Sequence, residues 1–477
     1  MSYDDYLYSE RISDEYNKND YTNITKSRDL SNISDNVVFK NEEDDLMIKE
    51  TEISDEPRIS YCGIFSDSQF SAIINLTSST IGGGCLNFPS IITDLGLPLT
   101  LIIFLFVTAS VFYTIDLLRH FVVDTKFFSF ALMTNEILGK RWLKIYAICS
   151  LIFYISIEIN NLYMIYTILT QMIELKEAQD ILWFNIFFFA FSMIIEIFMC
   201  SYISKIKRIH LFSFISSILF MIVLIIIIIE GAKNIILGTD KLKKDRLISP
   251  PIDDKSEHFF RIMTHIIEFL YGYSYHSSYP TLLKNLRIVD DQNTKEVHYL
   301  SFLFVFFTYF LITFFGFFTI HPVSDLIETK VGQKILVIII FRIILCLFLL
   351  SVIPLRFIVI RDNYYSLLKR NETNRKISFR RDLLYVTLIL LLCNIIVYLT
   401  NESIITFNFG IYCIRLFGGI FGVIIGFVLP VINYIGANGK RKVKSIIGYI
   451  LTGIFCVIGI LSVAYSLYGI CKQKKMS

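Results

Sequence analysis

Long apolar runs without any charge set the first limit on what this chain can fold into. Phe212–Ile229 and Leu383–Leu399 contain no charged residue. Runs of about 18 or more apolar residues are typical of membrane-spanning helices, because about 20 helical residues are needed to cross the hydrocarbon core. Hydrophobic residues make up 54% of the 477 residues and charged residues only 18%, whereas soluble domains are more charged. The sequence therefore predicts an all-α, polytopic membrane protein.

About eleven spans of roughly 20 residues can be placed along the chain. In chain order they are Phe70–Ile92, Pro98–Leu118, Trp142–Ile173, Ile181–Ile203, Ile209–Gly231, Phe259–Leu283, Tyr299–Ile320, Ile335–Ile360, Asp382–Thr400, Ile404–Ile435 and Val443–Ile470. We assign them to one transmembrane domain at residues 63–472, which a short C-terminal tail at residues 473–477 follows.

The first 62 residues form a separate, acidic segment. Residues 1–60 hold 16 Asp and Glu against 7 Lys and Arg and show no apolar periodicity, which predicts a disordered tail. No basic stretch followed by an apolar one precedes the first span, so we expect the tail to stay in the cytosol. The basic clusters Lys205–Arg208 and Lys440–Lys442 then also face the cytosol, as is usual for Lys and Arg. The basic remainder of the chain suits anionic lipid, and no nucleic-acid partner is expected.

Three consecutive glycines interrupt the first span. They lie at the middle of Asn75–Pro89, as Gly82–Gly84, and each costs a helix about 1 kcal/mol relative to alanine. A break inside hydrocarbon exposes backbone groups that no water can satisfy, so it is tolerated where it lines a cavity or meets a ligand. The helix ends offer amides to an anion and carbonyls to a cation, and a zwitterion has both charges. Close helix packing through small residues is the competing interpretation.

The sixth span is interrupted as well. Within Ile266–Pro280, Gly272 and Pro280 bracket a polar and aromatic patch, which is unlike an ordinary lipid-facing helix. Spans one and six open successive blocks of about five spans each. Two interrupted spans in corresponding positions predict a 5+5 inverted repeat with broken helices 1 and 6 and a binding site between them.

Several stretches, in this order, carry a resemblance to a known family. They are Gly82–Pro89 (a Gly-x-Gly-x-Leu-x-x-Pro pattern in the first helix), Tyr273–His276 followed by Tyr279-Pro280 (an aromatic-histidine patch and proline in the sixth), Pro354-Leu355-Arg356 (a Pro-x-Arg ending, placed at the cytosolic end of span eight) and Gly418-Gly419 through Pro430 (glycine then proline in span ten). Residues 65–470 are thus similar to the amino acid/auxin permease family, which includes sodium-coupled neutral and vacuolar amino acid transporters. The resemblance implies a sodium-symporter-like fold with an added eleventh helix, and movement of amino acids by alternating access.

The helix ends and the resemblance together predict where an amino acid binds. We expect the amides of Gly83, Gly84 and Cys85 to receive the substrate carboxylate. Carbonyls near Thr80–Gly82 and Leu270–Tyr271 are expected to face its ammonium, and glycine lets the backbone approach a ligand without a Cβ in the way. The expected substrate-binding residues are Ser79, Thr80, Ile81, Gly82, Gly83, Gly84, Cys85, Tyr271, Tyr273, Ser274, Tyr275 and His276.

The driving ion is predicted from a departure from the family pattern. Sodium-driven members hold the ion with an Asn in span one and a hydroxyl in span eight. Ser78 stands at the Asn position, Cys346–Leu350 has no Ser or Thr where the hydroxyl would fall, and Ser351 comes a turn too late. We therefore expect proton-coupled symport or facilitative transport rather than sodium coupling. The expected coupling residues are Glu158 and His276, because burial can bring proton binding by Glu or His into the working pH range.

Other ionisable residues within the predicted spans are further candidates, since such residues are costly in hydrocarbon. They are Glu196, His265, Glu268, Arg342 and Arg415. For any single one of them, a structural ion pair or an interfacial position is the favoured interpretation.

Alternatives to amino acid transport stay open. A carrier of other small nitrogenous solutes, such as polyamines or drug-like cations, would use Glu158, and the long tail permits a non-transporting sensor on the same fold. An intramembrane enzyme needs a His/Asp or metal cluster, of which the sequence shows no sign, so no enzyme, catalytic residue, cofactor or metal is predicted. Glu42–Met47 resembles an acidic dileucine-type sorting signal, which favours a vacuolar or endolysosomal membrane over the plasma membrane. The oligomeric state, monomer or larger, is left open.

Overall fold

Helices cover most of the predicted spans. The computed structural model of the chain describes residues 67–173, 183, 187–194, 197, 209–237, 255–319 (without 274, 285 and 287), 335–367, 387–397, 409–438 and 443–476, all of which belong to one compact unit. The predicted tail at residues 1–62, most of span four with Glu196, and Ser274 lie outside the described residues.

The helices are numbered here in chain order. They are α1 (Asp67–Thr80), α2 (Phe88–Leu95), α3 (Leu97–Thr125), α4 (Phe130–Leu138), α5 (Lys140–Ile173), α6 (Ile209–Leu237), α7 (Lys255–Gly272), α8 (Tyr279–Leu283), α9 (Asp291–Phe318), α10 (Ile335–Leu367), α11 (Phe409–Phe417), α12 (Leu429–Asn438) and α13 (Val443–Met476). A 3-10 segment, Gly83–Asn87, precedes α2, and two π-helical segments, Gly418–Gly422 and Ile424–Val428, lie between α11 and α12.

The length and composition of the helices match a membrane protein. Among the described residues, six helices are long and apolar enough to cross a bilayer, namely Leu97–Thr125, Lys140–Thr170, Ser213–Leu237, Asp291–Phe318, Ile411–Ala437 and Val443–Cys471. Ile339–Pro354 and Thr387–Val397 are shorter apolar helices. The described ranges contain no strand. The predicted all-α, polytopic class is therefore confirmed, whereas the count of about eleven spans and the inverted repeat stay predictions.

The first predicted break is present at the glycines. α1 ends at Thr80, Gly82 is extended with φ −151° and ψ −176°, and the chain resumes as the 3-10 segment and then as α2. Pro89 lies in the first turn of α2, where its missing N–H leaves no intrahelical hydrogen bond unmade. The glycines therefore lie between the C-terminal end of α1 and the N-terminal end of α2, and not within one continuous helix.

The second predicted break has the same form. α7 ends at Gly272, and α8 begins at Tyr279 with Pro280 in its first turn. A Cβ added to Gly272 would overlap the ring of Phe88 at the start of α2. The two interrupted helices thus approach each other closely at their breaks, and a side chain at residue 272 would hold them apart.

Two helices differ from the predicted spans. α4 has nine residues, too few to form a span of its own, and the spans predicted from sequence omit it. α10 continues past Arg356 to Leu367 with Pro354 inside it. The helix therefore extends beyond Ile360, the predicted end of span eight, while its apolar part ends at Pro354. The place of Arg356 at the cytosolic end of the span stays a prediction.

One end of the bundle is tied together by charged residues. Buried Arg119 of α3 donates to Asp116 at 2.9 Å and to Asp291 at the start of α9 at 2.5 Å. Lys444 of α13 lies 3.5 Å from Asp116 and 2.8 Å from His120. Three helices are thus linked by an ion-pair network whose central guanidinium has two carboxylate partners.

Candidate functional site

A tyrosine on α9 joins the two helix breaks. The hydroxyl of Tyr309 lies 3.0 Å from the carbonyl oxygen of Thr80, the last residue of α1, and 2.7 Å from that of Gly272, the last residue of α7. Carbonyls at the end of a helix have no intrahelical donor, so this hydroxyl supplies one. The Tyr309 ring also packs edge-on against Phe88, with ring centroids 5.2 Å apart. Both breaks therefore meet at a single buried side chain.

Gly82–Gly84 face three polar side chains from three other helices. A Cβ added at the first glycine would overlap the guanidinium of Arg356 from α10. At the second it would lie 2.8 Å from Asn161 Oδ1 of α5, and at the third 3.4 Å from the ring of Tyr271 of α7. The missing side chains therefore let Arg356, Asn161 and Tyr271 reach the interrupted backbone.

A buried carboxylate completes this group. Glu158 lies one helical turn before Asn161 on α5, and its Oε1 is 4.0 Å from Arg356 Nη1. We call Glu158, Asn161, Tyr271 and Arg356 the break cluster. All four residues are buried, with the Glu158 and Asn161 side chains fully shielded from solvent.

Much of the polar surface of the break cluster has no protein partner. No hydrogen bond reaches either Glu158 carboxylate oxygen, either amide atom of Asn161, the Tyr271 hydroxyl or Arg356 Nη1 from the described residues. Buried polar atoms without partners are rare in folded proteins because each carries its full desolvation cost. Polar atoms without partners, from three helices, are thus gathered at the first break.

The glycines of the π-helical region form one wall of this site. A Cβ on Gly418 would lie 3.3 Å from the Tyr271 ring, and one on Gly422 would lie 3.2 Å from Phe153. Phe153 in turn packs edge-on against Tyr271, with centroids 5.4 Å apart. Tyr271 is therefore enclosed between Gly84 of the first break and Gly418 of the π-helical region.

The side chains at the end of α1 are already engaged within the protein. The Ser79 and Thr80 hydroxyls donate to the carbonyl of Leu76 at 2.9 Å and 2.7 Å. The Cys85 amide and thiol both donate to Gly82 O, at 3.3 Å and 3.0 Å. Of the three amides expected to receive a carboxylate, that of Cys85 thus has a partner already, while Gly83 and Gly84 begin the 3-10 segment, where amides have no intrahelical acceptor.

The predicted walls from span six separate into two groups. Tyr271 joins the break cluster, and Tyr273 packs on Tyr309 and bonds to the Thr108 hydroxyl at 2.9 Å. His276 instead bonds to Thr114 of α3 at 3.0 Å and lies beside Tyr275. A Cβ on Gly426 of the second π-helical segment would lie 3.4 Å from the His276 ring. His276 thus contacts α3 and the π-helical region. The two proposed coupling residues, Glu158 and His276, therefore have different neighbours.

A second buried charge network lies farther along α7. His265 Nδ1 is 2.9 Å from Glu268 and its Nε2 is 3.1 Å from Asp94 near the end of α2. Arg415 of α11 donates to the other Glu268 oxygen at 2.5 Å. A neutral imidazole has one N–H, so both carboxylate contacts are hydrogen bonds only when His265 is protonated. This network links α2, α7 and α11, and it gives the predicted candidates His265, Glu268 and Arg415 paired partners.

The two serines that were compared with the sodium ligands of the family, Ser78 and Ser351, have hydrogen-bond partners within the protein. The Ser78 hydroxyl is 2.8 Å from the Ser213 carbonyl and 2.6 Å from the Ser217 hydroxyl, so it is bonded to α6. Ser351 bonds to the carbonyl of Phe348 within α10. The residues of the site that sequence reasoning missed as functional residues are Asn161, Tyr309 and Arg356. The sequence signal for Arg356 is the Pro-x-Arg ending Pro354-Leu355-Arg356.

Two interrupted helices that meet inside an apolar, all-helical bundle define a membrane transporter. The family model described as transmembrane amino acid transporter protein matches residues 66–472. The chain therefore belongs to the transmembrane amino acid transporter family, and the resemblance inferred from its motifs is confirmed.

Solved structures agree with the fold. A crystal structure of the Eremococcus coleocola manganese transporter, in complex with an aromatic bis-isothiourea substituted compound, is similar with a TM-score of 0.52 at 9% sequence identity. The similarity covers 84% of this chain and 87% of that chain. At such low identity it shows the fold alone. No curated protein matches the chain.

Proposed function

We propose that the protein moves amino acids across a bilayer by alternating access around its two helix breaks, and that it does so without sodium. The observation that carries the proposal is the contact of Tyr309 with the ends of both α1 and α7. In secondary transporters, substrate and ion sites lie where such discontinuous helices meet. The match to the amino acid transporter family supports an amino acid as the solute.

Arg356 supports the sodium-independent form of this proposal. Its guanidinium lies against Gly82, just past the C-terminal end of α1. The helix dipole favours a positive charge at that end, and a positive charge fixed in the protein repels a mobile cation. Transport is then proton-coupled or facilitative, with Glu158 and His276 as the proposed coupling residues.

The proposal extends to orientation and location. The acidic N-terminal tail faces the cytosol, and the membrane is the plasma membrane or that of a vacuole or endolysosome. Protease protection of a tag placed before residue 62, measured in sealed vesicles, tests the orientation.

The break cluster argues against a purely cationic solute. A polyamine would bring positive charge toward Glu158, but Arg356 already lies 4.0 Å from that carboxylate and would repel it. A non-transporting sensor is distinguished from a transporter by uptake, because a sensor moves no solute.

The test is uptake of a labelled amino acid panel by proteoliposomes that contain the purified protein, under a sodium gradient, a pH gradient or neither. Uptake that ignores sodium supports the proposal, and stimulation by the pH gradient selects proton coupling over facilitation. Sodium-driven uptake would overturn the role given to Arg356. Folded protein that moves no amino acid would leave the other solutes and the sensor.

A further inference from the structure

The charges of the break cluster are close together but not hydrogen-bonded to each other. The Glu158 and Arg356 side chains are 4.0 Å apart at their nearest charged atoms, beyond the 2.7–3.2 Å typical of an N–H···O bond. Both Glu158 oxygens and one Arg356 nitrogen lack partners among the described residues. Buried charges left in this way are costly, because a buried pair repays its desolvation only when good hydrogen bonds are made.

Glu158 and Arg356 require partners of opposite chemistry. Glu158 requires a donor, preferably cationic, and Arg356 requires an acceptor, preferably anionic, since hydrogen bonds between charged groups are the strongest. Asn161 can supply either kind of partner through its amide. A ligand that satisfies all three carries a positive and a negative group next to each other.

We propose that Arg356 binds the carboxylate and Glu158 the ammonium of one amino acid, so that this pair sets the charge specificity of transport. The inference rests on the proposed function of the same site and deepens it. With Glu158 ionised the pair has no net charge, so a solute with no net charge leaves the filled site neutral. This inference moves Glu158 from the coupling role proposed above to substrate binding, and it leaves His276 as the proposed proton-coupling residue.

The neighbours of the cluster select the third part of the ligand. The Cβ position of Gly83 lies 2.8 Å from Met164 Sδ and 3.1 Å from Leu349 Cδ2. Phe153 packs against the Tyr271 ring. These neighbours are apolar or aromatic and bring no further charge to the cluster, so a second charge on the ligand would be buried without a partner. The substrate class is therefore neutral amino acids.

The first measurement is equilibrium binding to purified protein in detergent. The probes are alanine, leucine, phenylalanine and glutamine, each compared with the amine that lacks its carboxylate and the acid that lacks its amine. We expect the wild-type protein to bind at least one of the four amino acids, and to bind both of its single-charge analogues about 10- to 100-fold more weakly.

Two variants make the prediction directional. In Arg356→Gln the site keeps Glu158, so binding of the amino acid falls about 10- to 100-fold while that of the matching amine is kept or improved. In Glu158→Gln the site keeps Arg356, and the matching acid gains on the amino acid instead. An inactive or misfolded variant would not give opposite preferences. Arg342→Gln is the matched control, because it removes another buried arginine of α10.

A third variant moves the guanidinium without removing it. Gly82→Ala adds a Cβ that overlaps the flexible end of Arg356, while the extended backbone at residue 82 accommodates alanine. We expect it to lose amino acid affinity as Arg356→Gln does.

Three results would overturn the inference. One is wild-type affinity in both Arg356→Gln and Glu158→Gln. Another is unchanged binding in Glu158→Gln with loss only of pH-driven uptake, which would make Glu158 a proton site. The third is a wild-type protein that binds the analogues as tightly as the amino acids. Failure of the proposed function is distinct, since folded wild-type protein would then move no amino acid at all.

Discussion

The hydroxyl of Tyr309 lies 2.7 Å from the carbonyl oxygen of Gly272, at the point where α7 stops. The same oxygen is 3.0 Å from the carbonyl of Thr80, where α1 stops. A tyrosine hydroxyl has one proton to donate, so two helix ends from distant parts of the sequence share it. Any movement of α1 relative to α7 changes how that proton is shared.

Removing this hydroxyl is expected to weaken the protein and its transport together. Tyr309→Phe leaves two buried carbonyls without their donor, and each unsatisfied buried group costs about 1–3 kcal/mol. We expect a lower melting temperature in detergent and slower uptake in proteoliposomes. Tyr299→Phe on the same helix is the control, because Tyr299 is 48% exposed. Equal behaviour of the two variants would contradict the role given to Tyr309.

The glycines of the first break are expected to tolerate side chains unequally. Gly83→Val should abolish uptake while the protein still reaches the membrane, because the Cβ position already lies 2.8 Å from Asn161 Oδ1 and from Met164 Sδ. Gly84→Ala should be tolerated, since its Cβ meets the Tyr271 ring at 3.4 Å, an ordinary contact. Uptake and surface expression, measured side by side, check this order. Normal uptake by Gly83→Val would contradict the assignment of the substrate site to the first break.

The ion pair between Glu268 and Arg415 offers a double-mutant test. Each single change, Glu268→Gln or Arg415→Gln, leaves a partner charge with less compensation in a buried setting, and we expect losses of up to about 3–5 kcal/mol in the free energy of unfolding. The double variant should recover part of that loss, giving a coupling energy of about 0.5–3 kcal/mol. Thermal unfolding of all four proteins measures it. Strict additivity would show that the 2.5 Å contact contributes little.

A glycine pair on the far side of the π-helical region is expected to be essential for packing. A Cβ on Gly459 of α13 would overlap the carbonyl oxygen of Gly419, and backbone moves away less readily than a side chain. Gly459→Ala should therefore destabilise the protein by about 1–3 kcal/mol. Gly453→Ala on the same helix meets nothing within 4 Å and should be neutral or slightly stabilising. A melting temperature unchanged in Gly459→Ala would contradict this close approach.

The helix breaks could be predicted from sequence because their causes are local. Gly82–Gly84 and the pair Gly272 and Pro280 disfavour a continuous helix wherever they occur. Because they lie inside apolar runs, each break in the helix needs partners within the protein for its free backbone groups. The observed ends of α1 and α7, at Thr80 and Gly272, lie within two residues of these predicted breaks.

The partners of the breaks could not be predicted in the same way. Tyr309 and Arg356 reach the site only through the rotation of α9 and α10 about their axes. The rotation of a helix about its axis is inferred from a stripe of apolar residues along one face. Helices that are apolar on nearly every side have no such stripe. The same limit applies to His276, whose place beside Thr114 depends on how α3 packs. Long-range contacts of this kind follow from tertiary packing, which the local pattern does not encode.

The two π-helical segments between α11 and α12 have a mechanical consequence. A π turn bonds residue i to i+5 and so holds more residues than an α turn. If a wide turn migrates along the segment, the residues it passes rotate by about 100° each, the angular step of one helical residue. Gly418, Gly422 and Gly426 now face Tyr271, Phe153 and His276. A shift of register would turn bulkier neighbouring residues toward Tyr271, Phe153 and His276 in place of these glycines. The π-helical region would then fill space beside these side chains while its backbone stays hydrogen-bonded.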